Sequence, residues 1–284
     1  VTVSEALRLA GRRLAKAGVP YAEADAELLL RHASGWDRAR LVTDAERELT
    51  PGVETRFLAL VEGRARRRPV QHLLGSAHFW RHEFVVTPAV LIPRPETEVL
   101  VETALELLRD ARGPLLADVG TGSGCVALSL AAERPDAEVH GVDLSPEALA
   151  VARQNARRLG LAERVRWHEG DLLEPLRGLA GRLTLVASNP PYVGADELAG
   201  LEPEVREHEP RLALAPPGER HSLYGRLAEQ AYELLEPGGW LAVEIGQGMQ
   251  DEVTGLMAAA GFAIARVVPD LRSIPRAVAA RKPQ

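Results

Sequence analysis

The chain has 284 residues, 46% of them apolar and 26% charged, enough for one large domain or two of unequal size around a sizeable core. A net charge of −6 argues against a dedicated binder of duplex nucleic acid, and a single cysteine excludes an intramolecular disulfide and a cysteine-based zinc cluster. The apolar stretches fall short of the ~20 residues of a membrane span. The amphipathic opening, with Glu5, Arg8, Arg12 and Arg13, is not a secretory signal, so a cytoplasmic protein without membrane attachment is expected.

The charge is uneven: residues 1–75 hold 13 Arg/Lys against 10 Asp/Glu, net +3, and the remainder holds 21 against 30, net −9. The histidines show no metal-binding helical spacing, and no metal is expected.

The first 75 residues read as a small helical bundle. Thr2 with Glu5 forms a capping-box pattern, followed by Leu7, Ala10 and Leu14 at helical spacing until Gly18. Pro20 opens a second helix through Leu28 and Leu29 to Gly35. A third fits Arg38 to Glu48, and Pro51 stands in the first turn of a fourth running toward Arg66. The run Arg64, Arg66, Arg67, Arg68 reads as the solvated end of that helix, its cations complementing the helix dipole. A contact with RNA or an acidic partner is the alternative.

Residues 76–92 read as a β-hairpin linker, in which Phe79, Trp80, Phe84, Val85 and Val86 flank polar Arg81-His82-Glu83. After Pro88, Pro93 and Pro95 a helix is expected from Glu96 to Leu108. The region 93–284 then alternates strands at 115–119, 138–142, 164–168, 183–188 and 240–245 with helices at 124–133, 145–159 and 223–235. That alternation predicts an α/β, doubly wound, Rossmann-like domain.

The first of these strands ends in a loop of Gly120, Thr121, Gly122, Ser123 and Gly124, whose glycines bring backbone N–H groups close to a ligand. It is not the dinucleotide fingerprint, because Cys125 stands where the third glycine would be. Cys125 itself reads as a small packing residue. Asp143, at the tip of the next strand, can accept hydrogen bonds from both ribose hydroxyls of an adenosine, or it caps the following helix, for which Ser145 is better placed. Asp171, after the third strand, can meet an adenine amino group with Leu172 against the ring, or it is an ordinary turn residue.

The fourth strand ends in Asn189-Pro190-Pro191-Tyr192, and Asn189 is one of only two asparagines. Two prolines fix the backbone and remove two N–H donors, so carbonyls remain as acceptors. The Asn189 side-chain oxygen and the Pro190 carbonyl can together grip both hydrogens of an NH₂ group, with Tyr192 stacking on a planar substrate. An amide or aromatic amine nitrogen is a poor nucleophile. Two acceptors favour its pyramidal form and stabilise the positive charge that develops on alkylation.

With these residues in view, the chain resembles the release-factor glutamine methyltransferases, the HemK or PrmC family, over nearly its whole length. The resemblance rests on the glycine loop, Asp143, Asn189 to Tyr192, and Leu91-Ile92-Pro93-Arg94-Pro95-Glu96-Thr97-Glu98. It extends to Glu204-Val205-Arg206, Glu209-Pro210 and Glu244-Ile245-Gly246-Gln247-Gly248. It implies an S-adenosylmethionine-dependent methyltransferase acting on the glutamine of a Gly-Gly-Gln motif in class I peptide-chain release factors. Asn189 and Pro190 would be catalytic, and Pro191 and Tyr192 would also hold substrate. Gly120, Thr121, Gly122, Ser123, Gly124, Asp143, Leu172 and Asn189 would hold the cofactor, and the N-terminal helices would recognise the release factor. Arg94 and Glu96 would line the substrate entrance or make a structural ion pair.

The chain departs from the family pattern at Pro216-Pro217-Gly218-Glu219-Arg220-His221 and at Arg272-Ser273. A monomer without stable nucleic-acid contacts is expected. The rival readings are an adenine or cytosine amino-methyltransferase of nucleic acid, which shares the tetrapeptide but should carry a basic recognition region, and a non-catalytic cofactor-binding protein.

Overall fold

Thr2 Oγ1 accepts the Glu5 amide at 3.3 Å and starts α1 (Val3–Lys16), which ends before left-handed Gly18 at φ +75°. α2 (Ala22–Ser34) stops at left-handed Gly35, Asp37 caps α3 (Arg38–Thr43), and Pro51 opens α4 (Pro51–Ala65). α3 ends at Thr43 instead of Glu48, and a further short helix, α5 (Val70–Leu74), follows where none is expected; so short a segment carries no periodicity to read. Leu14, Leu29, Leu30, Phe57 and Val61 form the core of this bundle. In this computed structural model, which describes every residue except Pro216, Pro217 and Glu219, the chain divides into two units. One is Val1–Ser76 with Leu201–His208, and the other is Ala77–Gly200 with Glu209–Gln284.

The hairpin strands β1 (Ser76–Phe79) and β2 (His82–Val85) turn at Trp80, whose φ is +54°. Phe79 and Phe84 pack edge to face and join Leu100, Val101 and Leu128 in a core of the second unit, so the segment read as a linker is built into that unit. A 3₁₀ turn at Pro95–Thr97 leads into α6 (Glu98–Leu107). Then follow β3 (Leu115–Val119), α7 (Cys125–Glu133), β4 (Glu138–Asp143), α8 (Pro146–Arg158), β5 (Val165–Glu169) and β6 (Leu183–Ser188). These strands lie within a residue of their expected bounds because parallel strands, buried on both faces, read as continuous apolar runs.

In the first unit, the short helix α9 (Pro203–His208) brings Glu204 against the arginines at the end of α4. Arg64 is only 5% exposed and reaches Asp25 at 2.6 Å and Glu204 at 2.7 Å, while Arg67 reaches Glu204 at 2.6 Å and Glu202 at 3.0 Å. Burial opposes ionisation of Glu204, but hydrogen bonds from Arg67 and Arg64 prevail and hold its carboxyl at about 2. Arg64 is therefore not a solvated helix end, and Arg67 is largely enclosed with it: a buried guanidinium must find carboxylates, and these come from distant parts of the chain.

The remainder is α10 (Arg211–Leu214), α11 (Arg220–Leu234), β7 (Leu235–Glu244), α12 (Gln250–Ala259), β8 (Ala263–Pro269) and β9 (Pro275–Arg281). The sheet order is β5-β4-β3-β6-β7-β9-β8, with β7/β9 and β9/β8 antiparallel and the other pairs parallel. β8, β9 and α12 are not foreseen in the sequence; β9 is rich in alanine and arginine, and only its burial at Ala277, Val278, Ala279 and Ala280 makes it a strand. Two cores line the sheet, one holding Val186, Tyr224, Leu227 and Val243, the other Leu116, Leu185 and Ala242. β3 connects onward to β4 on one side and borders β6 on the other, which opens a crevice at the carboxyl ends of the central strands. Among the described residues no helix is long and apolar enough to cross a membrane, and no group of three or more His, Cys, Asp or Glu is arranged to hold a metal ion.

Candidate active site

A cavity of about 390 Å³ occupies that crevice. Its wall includes Gly120, Thr121, Gly122, Ser123, Asp143, Leu172, Asn189, Pro190 and Pro191, together with Leu91, Arg94 and Leu144. Gly124 and Tyr192 lie outside the wall.

The glycine loop is shaped by its own backbone. Gly120, Gly122 and Gly124 have φ of +70°, +55° and +80°, a region that disfavours side chains. The amides of Gly120 and Thr121 both donate to the Val142 carbonyl, at 2.9 and 3.0 Å. Gly124 serves packing: a Cβ there would come within 3.0 Å of Trp167 and 3.1 Å of Leu128.

Asp118, only 2% exposed, accepts from Thr121 Oγ1 at 2.6 Å and from the Ala127 amide at 3.0 Å, tying the loop to the first turn of α7. Burial raises its carboxyl to about 6 despite those bonds. Asn155 braces the loop from α8. Its amide exchanges two hydrogen bonds with Val85 and donates to the Ser123 carbonyl at 2.9 Å. Sequence reasoning missed both braces; the signal for Asp118 is a carboxylate inside an apolar strand, and for Asn155 the rarity of asparagine.

Asp143 accepts one N–H on each oxygen, Gly122 at 2.8 Å and Ser145 at 2.9 Å, and Ser145 itself caps α8 by accepting the Ala148 amide. A carboxylate has about four acceptor sites. The Leu144 amide also bears on it, so only part of that capacity remains for a ligand, and burial raises the Asp143 pKa above its ordinary value. Leu172 stands in the left-handed region at φ +49°, which presents it on the cavity wall. Asp171 also borders the cavity, but it is half-exposed and ion-paired with Arg226.

On the far side, β3 and β6 pair with Val119 opposite Ser188, so the glycine loop and Asn189 leave adjacent strand ends together. Ser188 Oγ donates to the Val119 carbonyl at 2.7 Å and locks that register. Asn189 Nδ2 donates to Thr97 Oγ1 at 3.1 Å, and among the described residues no donor engages its Oδ1. Thr97 in turn favours the charged form of the Glu244 carboxylate. Burial raises Glu244 to about 7, against the lowering effect of Thr97 and Arg276.

Tyr192 packs on Gly246, where a Cβ would come within 3.0 Å of the ring and of Met249 Sδ; burial and then nearby Glu244 push its hydroxyl up to about 12. Its expected place is on the substrate; here one side of the ring is covered by the turn after β7. Arg94 pairs with buried Glu209 at 2.5 Å, and Glu209 also accepts the Ile92 amide at 3.1 Å, so an ion pair holds the segment that carries Thr97. Of the divergent segments, Pro216, Pro217 and Glu219 lie outside the described residues, and Ser273 forms the β8–β9 turn at φ +62°.

These residues suit an adenosine-bearing cofactor: a carboxylate with unspent acceptors, a loop of close-approaching amides, and apolar Leu144 and Leu172 between them.

Comparison with known proteins agrees. Residues 5–75 match the family described as PrmC N-terminal domain, and residues 116–206 match a methyltransferase domain. The chain is 46% identical to a release factor glutamine methyltransferase of Cereibacter sphaeroides over 99% of this chain and 98% of that one. It is also 46% identical to that of Moorella thermoacetica over 95% of both chains. A methyltransferase structure from Pyrococcus furiosus, 17% identical, covers 71% of this chain and 89% of its own with a TM-score of 0.51, a likeness of fold alone. The chain belongs to the release factor glutamine methyltransferase family.

Proposed function

We propose that this protein methylates the side-chain amide nitrogen of the glutamine in the Gly-Gly-Gln motif of class I peptide-chain release factors, with S-adenosylmethionine as donor. The observation that carries this reading is Asn189. It sits at a strand end beside the glycine loop, in one cavity with Asp143, and its Oδ1 is free to accept.

Asp143 would bind the ribose hydroxyls, Leu172 would lie against the adenine, and Gly120, Thr121, Gly122, Ser123 and Asn189 would hold the rest of the cofactor, with Gly124 shaping the loop from behind. Bound there, S-adenosylmethionine supplies an electrophilic methyl on a sulfonium. Asn189 Oδ1 and the Pro190 carbonyl accept the two amide hydrogens of the substrate and hold its nitrogen toward the donor. As the nitrogen becomes positive these fixed dipoles stabilise it, and the proton it sheds passes to solvent, so no strong base is needed. Pro191 keeps the backbone rigid, and Tyr192 supports the tetrapeptide from the Gly246 side.

The helical unit is the recognition domain for the release factor. The enzyme acts as a cytoplasmic monomer without stable nucleic-acid contacts, in keeping with the net charge of −9 beyond residue 75. Mass spectrometry of a class I release factor after incubation with enzyme and S-adenosylmethionine tests the reading. One added methyl on the Gly-Gly-Gln peptide is the expected result; methyl transfer to DNA or RNA alone would overturn it.

A further inference from the structure

Three groups from distant parts of the chain meet behind the tetrapeptide. Asn189 follows β6, Glu244 ends β7, and Thr97 precedes α6. The register sets Ser188 opposite Val243, so Asn189 and Glu244 are the next residues along neighbouring strands. Glu244 and Thr97 are each only 2% exposed.

The direction of the hydrogen bonds decides what this cluster does. An ionised carboxylate only accepts, and a threonine hydroxyl has a single proton. Thr97 favours the charged form of Glu244, the effect of a hydroxyl proton directed at the carboxylate. Thr97 Oγ1 is then left as an acceptor, which only the Nδ2 end of Asn189 can satisfy. The side-chain amide of Asn189 is thereby held with Oδ1 turned away from Thr97. Without this chain, the two ends of an asparagine amide are nearly equal in shape, and either could face a substrate. Glu244 Oε2 is buried with no hydrogen-bond partner, a costly arrangement for a contact that only packs.

We infer that Thr97 and Glu244 are positioning residues, acting in series to fix the Asn189 amide with its oxygen toward the substrate. This rests on the reaction proposed above. A reversed amide would present N–H to N–H and repel the substrate nitrogen, so orientation acts on the transfer step more than on cofactor binding.

The test uses the full chain, a class I release factor and S-adenosylmethionine, measuring single-turnover methylation at saturating cofactor beside cofactor Kd. Thr97→Val keeps the shape and removes the hydroxyl, and the rate should fall roughly tenfold or more with Kd within about twofold. Thr97→Ser restores the hydroxyl and should recover the rate to within about threefold of wild type. Glu244→Gln can donate to Thr97 as well as accept, so it should slow transfer and flatten the dependence of rate on pH. The groups acting on Glu244 besides Thr97 are Arg276 and Arg94, which favour its charge, and Glu96, which opposes it. Tyr192 is also close enough to feel that charge.

Wild-type enzyme that leaves the release factor unmethylated overturns the proposed function. Active wild type with a folded Thr97→Val that reacts equally fast overturns this inference alone. If valine prevents folding, folded Glu244→Gln with the wild-type rate and pH profile has the same consequence.

Discussion

The glycine loop and the Asn189 corner face the same cavity but are held in different ways. The loop is fixed mainly by its neighbourhood: Val142 receives two of its amides, Asp143 a third, and Asp118 binds Thr121 and Ala127. All of those partners lie within the single β3-α7-β4 unit. The corner adds side chains from three separate segments, Thr97, Asn189 and Glu244, drawn from either side of that unit and from its far end. A cofactor-binding turn can thus be specified locally. A group that must present one atom and not its near twin needs a chain of donors running in one direction, and that requires several elements at once.

The largest expected effect comes from removing the corner's acceptor. Asn189→Ala should lower single-turnover methylation by about 10² or more at saturating cofactor, the scale of losing a preorganised electrostatic partner. Asn189→Asp keeps an acceptor oxygen and should lose less, though it gives up the donor to Thr97. If alanine reacts as fast as wild type in folded protein, the corner is only a turn.

On the loop side, Asp143→Ala should weaken S-adenosylmethionine binding by about 1.5–3 kcal/mol, the range for hydrogen bonds to a charged group. The rate at saturating cofactor should change far less, which separates the two halves of the cavity. Calorimetry showing wild-type affinity would reduce Asp143 to a brace for Gly122 and Ser145.

A subtler distinction lies in pH. Burial raises Glu244 to about 7, so its carboxylate, and with it the direction of the Thr97–Asn189 chain, is present above that pH and lost as pH falls below it. Single-turnover rates should therefore rise through about pH 7 in wild type and lose that step in Glu244→Gln. A step that persists in Glu244→Gln belongs to another group.

The smallest effect is remote from both regions. Ser273 occupies a left-handed position at φ +62° in the β8–β9 turn, between the Arg272 and Ile274 amides that Asp270 accepts. Ser273→Gly should relieve a strain of ~1–2 kcal/mol, offset by the ~0.5–1 kcal/mol of extra chain entropy that glycine loses. A slight rise in melting temperature with an unchanged methylation rate is expected; a lower melting temperature would show that the serine is not strained.

Much of the architecture could be read from the residues. The alternation of apolar strands and helices from 115 to 188, the glycine loop, the carboxylate at 143 and the tetrapeptide at 189 all stand within short windows. Patterns of that length reflect local physics: pleat and helix periodicity, and backbone angles that only glycine or proline favours. The clustering of Arg64, Arg67 and Glu204, the strand at Pro275–Arg281, the brace by Asn155 and the service of Thr97 and Glu244 could not be read that way. Each depends on which distant group arrives beside it. A charged or polar side chain looks the same in sequence whether water or a buried partner surrounds it, and burial, which multiplies the cost of leaving it unpaired, is decided only when the sheet and helices close around it.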